Sequence, residues 1–471
     1  MKWSFASWVG AVIALAVVAE LAGAQAHTLA IRHATVFDTD TRATRPETTI
    51  LVRGDRITAV LPDAEARGIR ATTEIDARGR LVTPGLIDVH HHLGFVFPDS
   101  LTAGGGAIAR FVMHPDSIAR YRERWARQFL QHGVTVVRSV GDNDAYMPLL
   151  TAWMRPSPAA PDFFTTGGAL VSTEPERASY IDHSKYTEVR DSADAARAVE
   201  RYYAAGLRDI KLYRRLREPE LVGALAAAKR RNMAVTAHVG ADNVSIRRAL
   251  ALGVRHLEHA HEAAPELLSR EQQAAAWDRT RRTLGERLPA AFWWAALEMF
   301  NAIGADNQQV RTLIADIARS GATMTPTLHI FAQRVGVAQF KTLTKGTFDD
   351  DGKWTPQARA RARQGYESFA RYVRDLHRAG VPLAIGTDTF DPGAAALSEM
   401  LLLHQAGIPM ADVLRIATLG GAQVMEREKD YGRIAPGRKA HFVLFDASPL
   451  LRPRALVGGK TVIKDGVVVS R

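Results

Sequence analysis

The 471-residue chain contains no cysteine. Disulfide scaffolding, a thiolate nucleophile and a cysteine-ligated metal are therefore excluded. Long apolar runs are scarce: beyond the stretch from Trp8 to Val18, no second one is present. No GxGxxG stands at the first strand-to-helix turn, which argues against a dinucleotide-binding open sheet. The formal charge is +11, but its arginines are spread along helical stretches, as at Arg120, Arg122, Arg124 and Arg127, with no single basic block. With no recognition motif beside it, this charge gives no reason to expect a nucleic-acid partner.

What is present is ordinary globular material, 46% hydrophobic and 24% charged. The first 26 residues, MKWSFASWVGAVIALAVVAELAGAQA, combine Lys2, an apolar run and Ala24-Gln25-Ala26. This is the layout of a secretory signal peptide cut after Ala26, with a membrane anchor as the alternative. The expectation is an exported protein, periplasmic or secreted, without stable membrane association once the signal is removed.

Residues 27–85 and 429–471 share a texture of short alternating strands and turns, which predicts one split β-sandwich domain built from both chain ends. Between them, eight β-branched runs alternate with longer amphipathic stretches: 86–93, 135–141, 162–168, 209–213, 234–240, 254–260, 323–329 and 382–388. Five follow a glycine that closes the preceding helical segment, namely Gly133, Gly206, Gly253, Gly321 and Gly380. Eight such units predict an α/β fold, a (β/α)₈ TIM barrel over 86–428. The stretch of about 262–319 reads as a helical insertion, either added packing or a lid.

In such a barrel the active site lies at the carboxyl ends of the strands, and polar residues gather late in these runs. PGLIDVHHHLG places His90, His91 and His92 together; strand alternation sends His90 and His92 to one face and His91 to the other. Lys211, His238, His259 and Asp388 come late in later runs. Neutral imidazoles suit Zn²⁺ and related ions. Each residue also has a plain structural reading. A buried histidine can be a hydrogen-bonded core residue, Lys211 can extend its charge to solvent, and Asp388 can cap the following helix. A buried ammonium beside a dication would repel it, a conflict removed if Lys211 reacts with CO₂ to form an anionic carbamate.

PGLIDVHHH, GLRDIKLY, TAHV, HLEHA and IGTDT together resemble the amidohydrolase superfamily, particularly its imidazolonepropionase-like and dipeptidase-like branches. The resemblance covers essentially the whole chain after the signal. It implies a catalytic metal centre of His90, His92, carboxylated Lys211, His238, His259 and Asp388, holding two divalent ions, with Zn²⁺ foremost. His256 and His261 are set aside, because the family's ligand directly follows the glutamate. The implied reaction is hydrolysis of a small-molecule C–N bond, such as that of a dipeptide or N-acyl amino acid, by metal-activated hydroxide, with Asp388 as proton acceptor. Cyclic amides, lactones or phosphoesters are alternative substrates, and a non-catalytic periplasmic binding protein is the alternative from another class. Arg138, Tyr213, His183 and His329 are candidate substrate contacts, and a homo-oligomer is compatible with the resemblance. Ser139, His441 and the loop GGALVSTEPERASYIDHSKY depart from the family pattern, which bears on substrate and leaves the ligand set intact.

Overall fold

The structure, a computed structural model, describes residues 27–92, 115–142, 144, 147–173, 186–240, 243–284, 288–304, 307–339, 355–388 and 392–471. The expected signal peptide, His183 and parts of the expected insertion lie outside these residues.

Short alternating stretches form β1 (His27–Phe37), β2 (Thr44–Arg53), β3 (Arg56–Pro62), β4 (Ala71–Asp76) and β5 (Leu81–Pro84). The middle of the chain supplies β6 (Leu86–His91), β7 (Val134–Ser139), β8 (Asp162–Thr165), β9 (Ala169–Ser172), β10 (Tyr186–Val189), β11 (Asp209–Leu212), β12 (Ala234–Ala237), β13 (His256–Glu258) and β14 (Thr323–Thr325). The last strands are β15 (Phe442–Phe445), β16 (Lys460–Lys464) and β17 (Val467–Ser470).

Both chain ends enter one eight-stranded sheet of order β17-β16-β15-β5-β1-β2-β3, with β4 beside β1. Leu29, Ile31, Ile50 and Val52 share its apolar core with Phe442, Leu444 and Ile463, so neither end can bury its own face alone. The expected sandwich is, in its hydrogen bonding, this single mixed sheet. One edge of the long β1 serves two partners: His27–Arg32 pair with β4, then Thr35 and Val36 pair with β5 after register shifts.

The middle strands pair in parallel, as alternation with helices requires, in a six-stranded sheet β10-β9-β11-β12-β13-β14 and a three-stranded sheet β6-β7-β8. Among the described residues these sheets do not join into one closed hydrogen-bonded barrel. The eighth expected run, 382–388, makes a single bridge, Met324 to Leu383, because Pro382 has no N–H to give and Asp388 already has a left-handed φ of 47°. It nevertheless touches both sheets. Ala384 N donates to Met324 O at 3.1 Å on one side, and Val89 N donates to Ile385 O at 2.9 Å on the other. Gly386 permits this approach, since a Cβ there would lie 2.2 Å from Thr325 Cγ2 and 2.5 Å from His90 Cβ.

All five helix-closing glycines have positive φ, between 71° and 104°. The insertion forms helices Arg270–Leu284, Leu288–Ala302 and Gln308–Ser320. Trp294 and Phe300 of the second are buried, which is packing, while Phe292 and Trp293 lie 5.8 and 5.9 Å from the His261 ring. No helix among the described residues is long and apolar enough to cross a membrane.

Candidate metal and active site

The alternation along β6 holds. His90 and His92 share one side, with ring centroids 5.2 Å apart. His91 turns outward against Phe129 of the helix Pro115–Gln131, centroids 5.1 Å apart, where burial lowers its pKa to about 3 and keeps it a neutral core residue. Asp88, fully buried on the same strand, accepts from Thr387 Oγ1 at 2.7 Å, Thr387 N at 3.3 Å and His90 N at 3.2 Å. These bonds tie the first run to the eighth. Asp388 N then donates to His90 O at 2.8 Å, and Asp388 Oδ1 lies 3.1 Å from His92 Nε2 and 3.7 Å from His90 Nε2.

His238, just past β12, stacks beside His259 with centroids 4.3 Å apart, and His259 lies 4.5 Å from His90. The chain leaves strand geometry at His259, whose φ is +61°. Alternation alone would send Glu258 and His259 to opposite faces; this left-handed residue brings both inward. Glu258 Oε2 lies 2.8 Å from His90 Nδ1 and in direct contact with Lys211 Nζ, and Oε1 accepts from Thr236 Oγ1 at 2.6 Å. Reasoning from sequence did not single out Glu258. Only its burial in a strand facing the histidines marks it.

The donor set fits a divalent cation. Burial above all holds His90 neutral, and it does the same for His238 and His259. Neutral rings offer lone pairs. Donor atoms of His90, His92 and Asp388 lie within 4.8 Å of one another, as do those of His90, Glu258 and His259, so two candidate groups meet at His90. The His90 nitrogens, Lys211 Nζ and Glu258 Oε2 are buried, yet none makes a hydrogen bond of good geometry despite the short separations. Buried polar atoms in that condition are costly unless another group completes them. Burial also pushes the Lys211 amine well below its ordinary value, toward the neutral form.

The candidate substrate contacts separate. Tyr213 lies at the rim of the cluster, 5.1 Å from the His238 ring and 4.7 Å from the Tyr186 ring. Arg138 is not at the rim; it is fully buried below the histidines. Its Nε donates to Val89 O at 2.9 Å, Nη1 lies 3.5 Å from Asp209 Oδ1 and Nη2 lies 3.6 Å from Glu258 Oε1. Asp209 is in turn held by Arg427 at 2.7 Å, so Arg138 is the middle of an internal ion-pair chain and is not placed to meet substrate. His329 is also fully buried, its Nδ1 2.8 Å from Ser398 Oγ, because Thr327 has a left-handed φ and turns the chain into the helix Leu328–Arg334. The outer wall beyond His238 is aromatic: Trp293 of the insertion lies 5.9 Å from the His261 ring and carries the Arg334 guanidinium at 4.3 Å.

Residues 81–469 match the amidohydrolase family model. The chain is 24% identical over 435 residues to an imidazolonepropionase of Rubrobacter xylanophilus, covering 84% of each protein. Shorter matches join it to an imidazolonepropionase of Klebsiella pneumoniae strain 342, 38% identical over 108 residues, 19% of this chain and 26% of the relative. An adenine deaminase of Klebsiella pneumoniae subsp. pneumoniae is 41% identical over 106 residues, 21% of this chain and 17% of the relative. These two matches span about a quarter or less of each relative's length. Among solved structures, a Xaa-Pro dipeptidase with bound methionine in its active site superposes with a TM-score of 0.63 at 18% identity, covering 93% of this chain and 99% of the other. A putative prolidase from Bifidobacterium longum gives 0.64 at 22% identity, covering 94% of each. At these identities the likeness is one of fold.

Proposed function

The chain belongs to the amidohydrolase family, and from that premise we propose that it is a metal-dependent hydrolase of a small-molecule amide, such as a dipeptide or N-acyl amino acid. The observation that carries this reading is the convergence of His90, His92, His238, His259, Lys211 and Asp388, from five separate runs, on one buried and incompletely satisfied cluster. The dipeptidase and prolidase structures of the same fold favour an amide substrate.

We read the two parallel sheets, with 382–388 between them, as the arcs of one (β/α)₈ barrel domain over 86–428, and 27–85 with 429–471 as its companion domain. His90, His92, His238, His259 and Asp388 would hold two divalent ions, Zn²⁺ being suited to neutral imidazole. A carbamate on Lys211, formed from its neutral amine and CO₂, would add anionic oxygens to that set. A divalent ion there supplies Lewis acidity and brings the pKa of water from ~16 toward ~7. Asp388, at the mouth of the cluster beside His92, accepts the proton lost by water and returns it to the departing nitrogen. Burial raises the pKa of the Tyr213 phenol, which therefore stays protonated and can donate to the developing oxyanion.

Metal analysis of the purified protein, combined with a hydrolysis screen across dipeptides, N-acyl amino acids and lactones, tests the reading. About two divalent ions per chain are expected, with amide cleavage lost to a chelator and restored by Zn²⁺ or Mn²⁺. A metal-free protein that stays inert after either ion is added overturns it.

A further inference from the structure

Glu262 is a buried carboxylate at the edge of the cluster with no part in the chemistry above. It ends the 3₁₀ turn Ala260–Glu262, which the left-handed His259 folds back toward the end of β12. The fit there is close: Gly240, with φ +142°, would place a Cβ 2.8 Å from Glu262 O and 3.0 Å from Glu262 Cβ. Only glycine lets the loop after His238 rest against this turn. Glu262 Oε1 lies 2.7 Å from His238 Nε2, 3.5 Å from Arg214 Nη1 and 3.6 Å from His261 Nε2. Arg214 itself lies over the Phe292 ring of the insertion at 4.9 Å.

An ionised carboxylate can only accept, so the short contact assigns the proton to His238 Nε2, and in a neutral ring Nδ1 keeps the lone pair. We propose that Glu262 is a positioning residue that fixes His238 as the Nε2–H tautomer and presents Nδ1 as the donor to a divalent cation, with Arg214 as its counter-charge. Carboxylate–histidine pairs of this kind orient a ligand ring and raise its basicity. The identity of the cation rests on the hydrolase reading; the hydrogen bond and the tautomer do not.

The test uses the full chain as wild type, Glu262→Leu and Glu262→Gln. Zn²⁺ affinity is measured by chelator competition, and His238 is read by ¹⁵N NMR of histidine-labelled, metal-free protein, with His238→Gln for assignment. Glu262→Leu is expected to weaken Zn²⁺ binding about 10–100-fold. Glu262→Gln, which retains an uncharged acceptor, should lose less, and the wild-type ring should show Nε2–H. Affinity in a folded Glu262→Leu variant within about threefold of wild type overturns the proposal, against the loss such partners ordinarily cause. So does an Nδ1–H tautomer in the wild type, which decides the matter even where the leucine variant fails to fold. A wild type that binds no Zn²⁺ overturns the hydrolase reading instead, while the tautomer is still read without metal.

Discussion

Two buried polar clusters in this protein hold histidine and carboxylate groups close enough to grip a cation, and they differ in how their charges are settled. Both leave buried atoms without well-formed hydrogen bonds, the His90 nitrogens, Lys211 Nζ and Glu258 Oε2 at the strand ends and Asp162 Oδ1 and His441 Nδ1 in the other, but the strand ends gather four histidine rings around their carboxylates. At the junction with the terminal sheet, Asp162, His441 and Asp465 are equally close, but Lys464 Nζ is 2.8 Å from Asp162 Oδ1 and touches Asp465 Oδ2. Lys439 Nζ lies 3.1 Å from Asp465 Oδ1, and Tyr431 donates to Asp162 at 2.7 Å. Burial alone would raise the pKa of Asp465; the hydrogen bond from His441 and the adjacent Lys464 instead hold it far below the ordinary carboxylate range. The junction carries its own cations and needs no other. Donor proximity is thus common to both clusters, and what sets the junction apart is the pair of lysines, Lys464 and Lys439, facing its carboxylates.

Three substitutions break or sharpen that contrast. Asp388→Asn should lower kcat on the best amide substrate by about 10²–10⁴-fold, because the group that accepts the proton is lost. An unchanged kcat would remove Asp388 from the role of proton acceptor. Lys464→Met should destabilise the fold by about 3–5 kcal/mol, read by urea unfolding, since it leaves two buried carboxylates facing one another. Its folded fraction should bind Zn²⁺ as the wild type does; a parallel loss of affinity would mean that the two clusters are not independent.

The smallest effect tests the buried carboxylate of Glu399. Glu399 is fully buried and accepts from Leu328 N at 2.9 Å and His329 N at 2.6 Å, and burial pushes its pKa up to about 8. The unfolded chain releases this proton near pH 4.5 and the folded chain near 8, so between those values the folded state binds more protons and stability falls as pH rises. The fall should be on the order of 1–3 kcal/mol between pH 5 and 8, given ~1.4 kcal/mol per pKa unit. Glu399→Gln should flatten the profile, as read by urea unfolding at the two pH values.

Much of the site was legible because strand alternation is a strict geometric rule. It separated His90 and His92 from His91 without any knowledge of the helix carrying Phe129. The rule failed where the backbone leaves the strand. His259 is a non-glycine residue with positive φ, and nothing in HLEHAHE announces that Glu258 and Glu262 both turn toward the histidines. Arg138 was misplaced for a related reason: position late in a strand was taken as nearness to the mouth, whereas its long side chain runs inward to Asp209. The terminal sheet was foreseen from its alternating texture, but not its single-sheet pairing, which depends on the register shifts within β1.

The clasp between the chain ends has a consequence in time. β5 runs into β6, the strand of His90, through Gly85 alone, and its flank is held by β15: Gly85 N donates to His441 O, and Arg80 reaches Leu444 O across 364 positions. His90 and His92 therefore precede by far the strand on which their own strand's anchor depends, and the sheet cannot close before β15 has been made. Contacts this distant in sequence are slow to form and leave the intermediate open to misassembly. The cluster around His90 and His92 is therefore expected to take its final form only after β15 has joined β5.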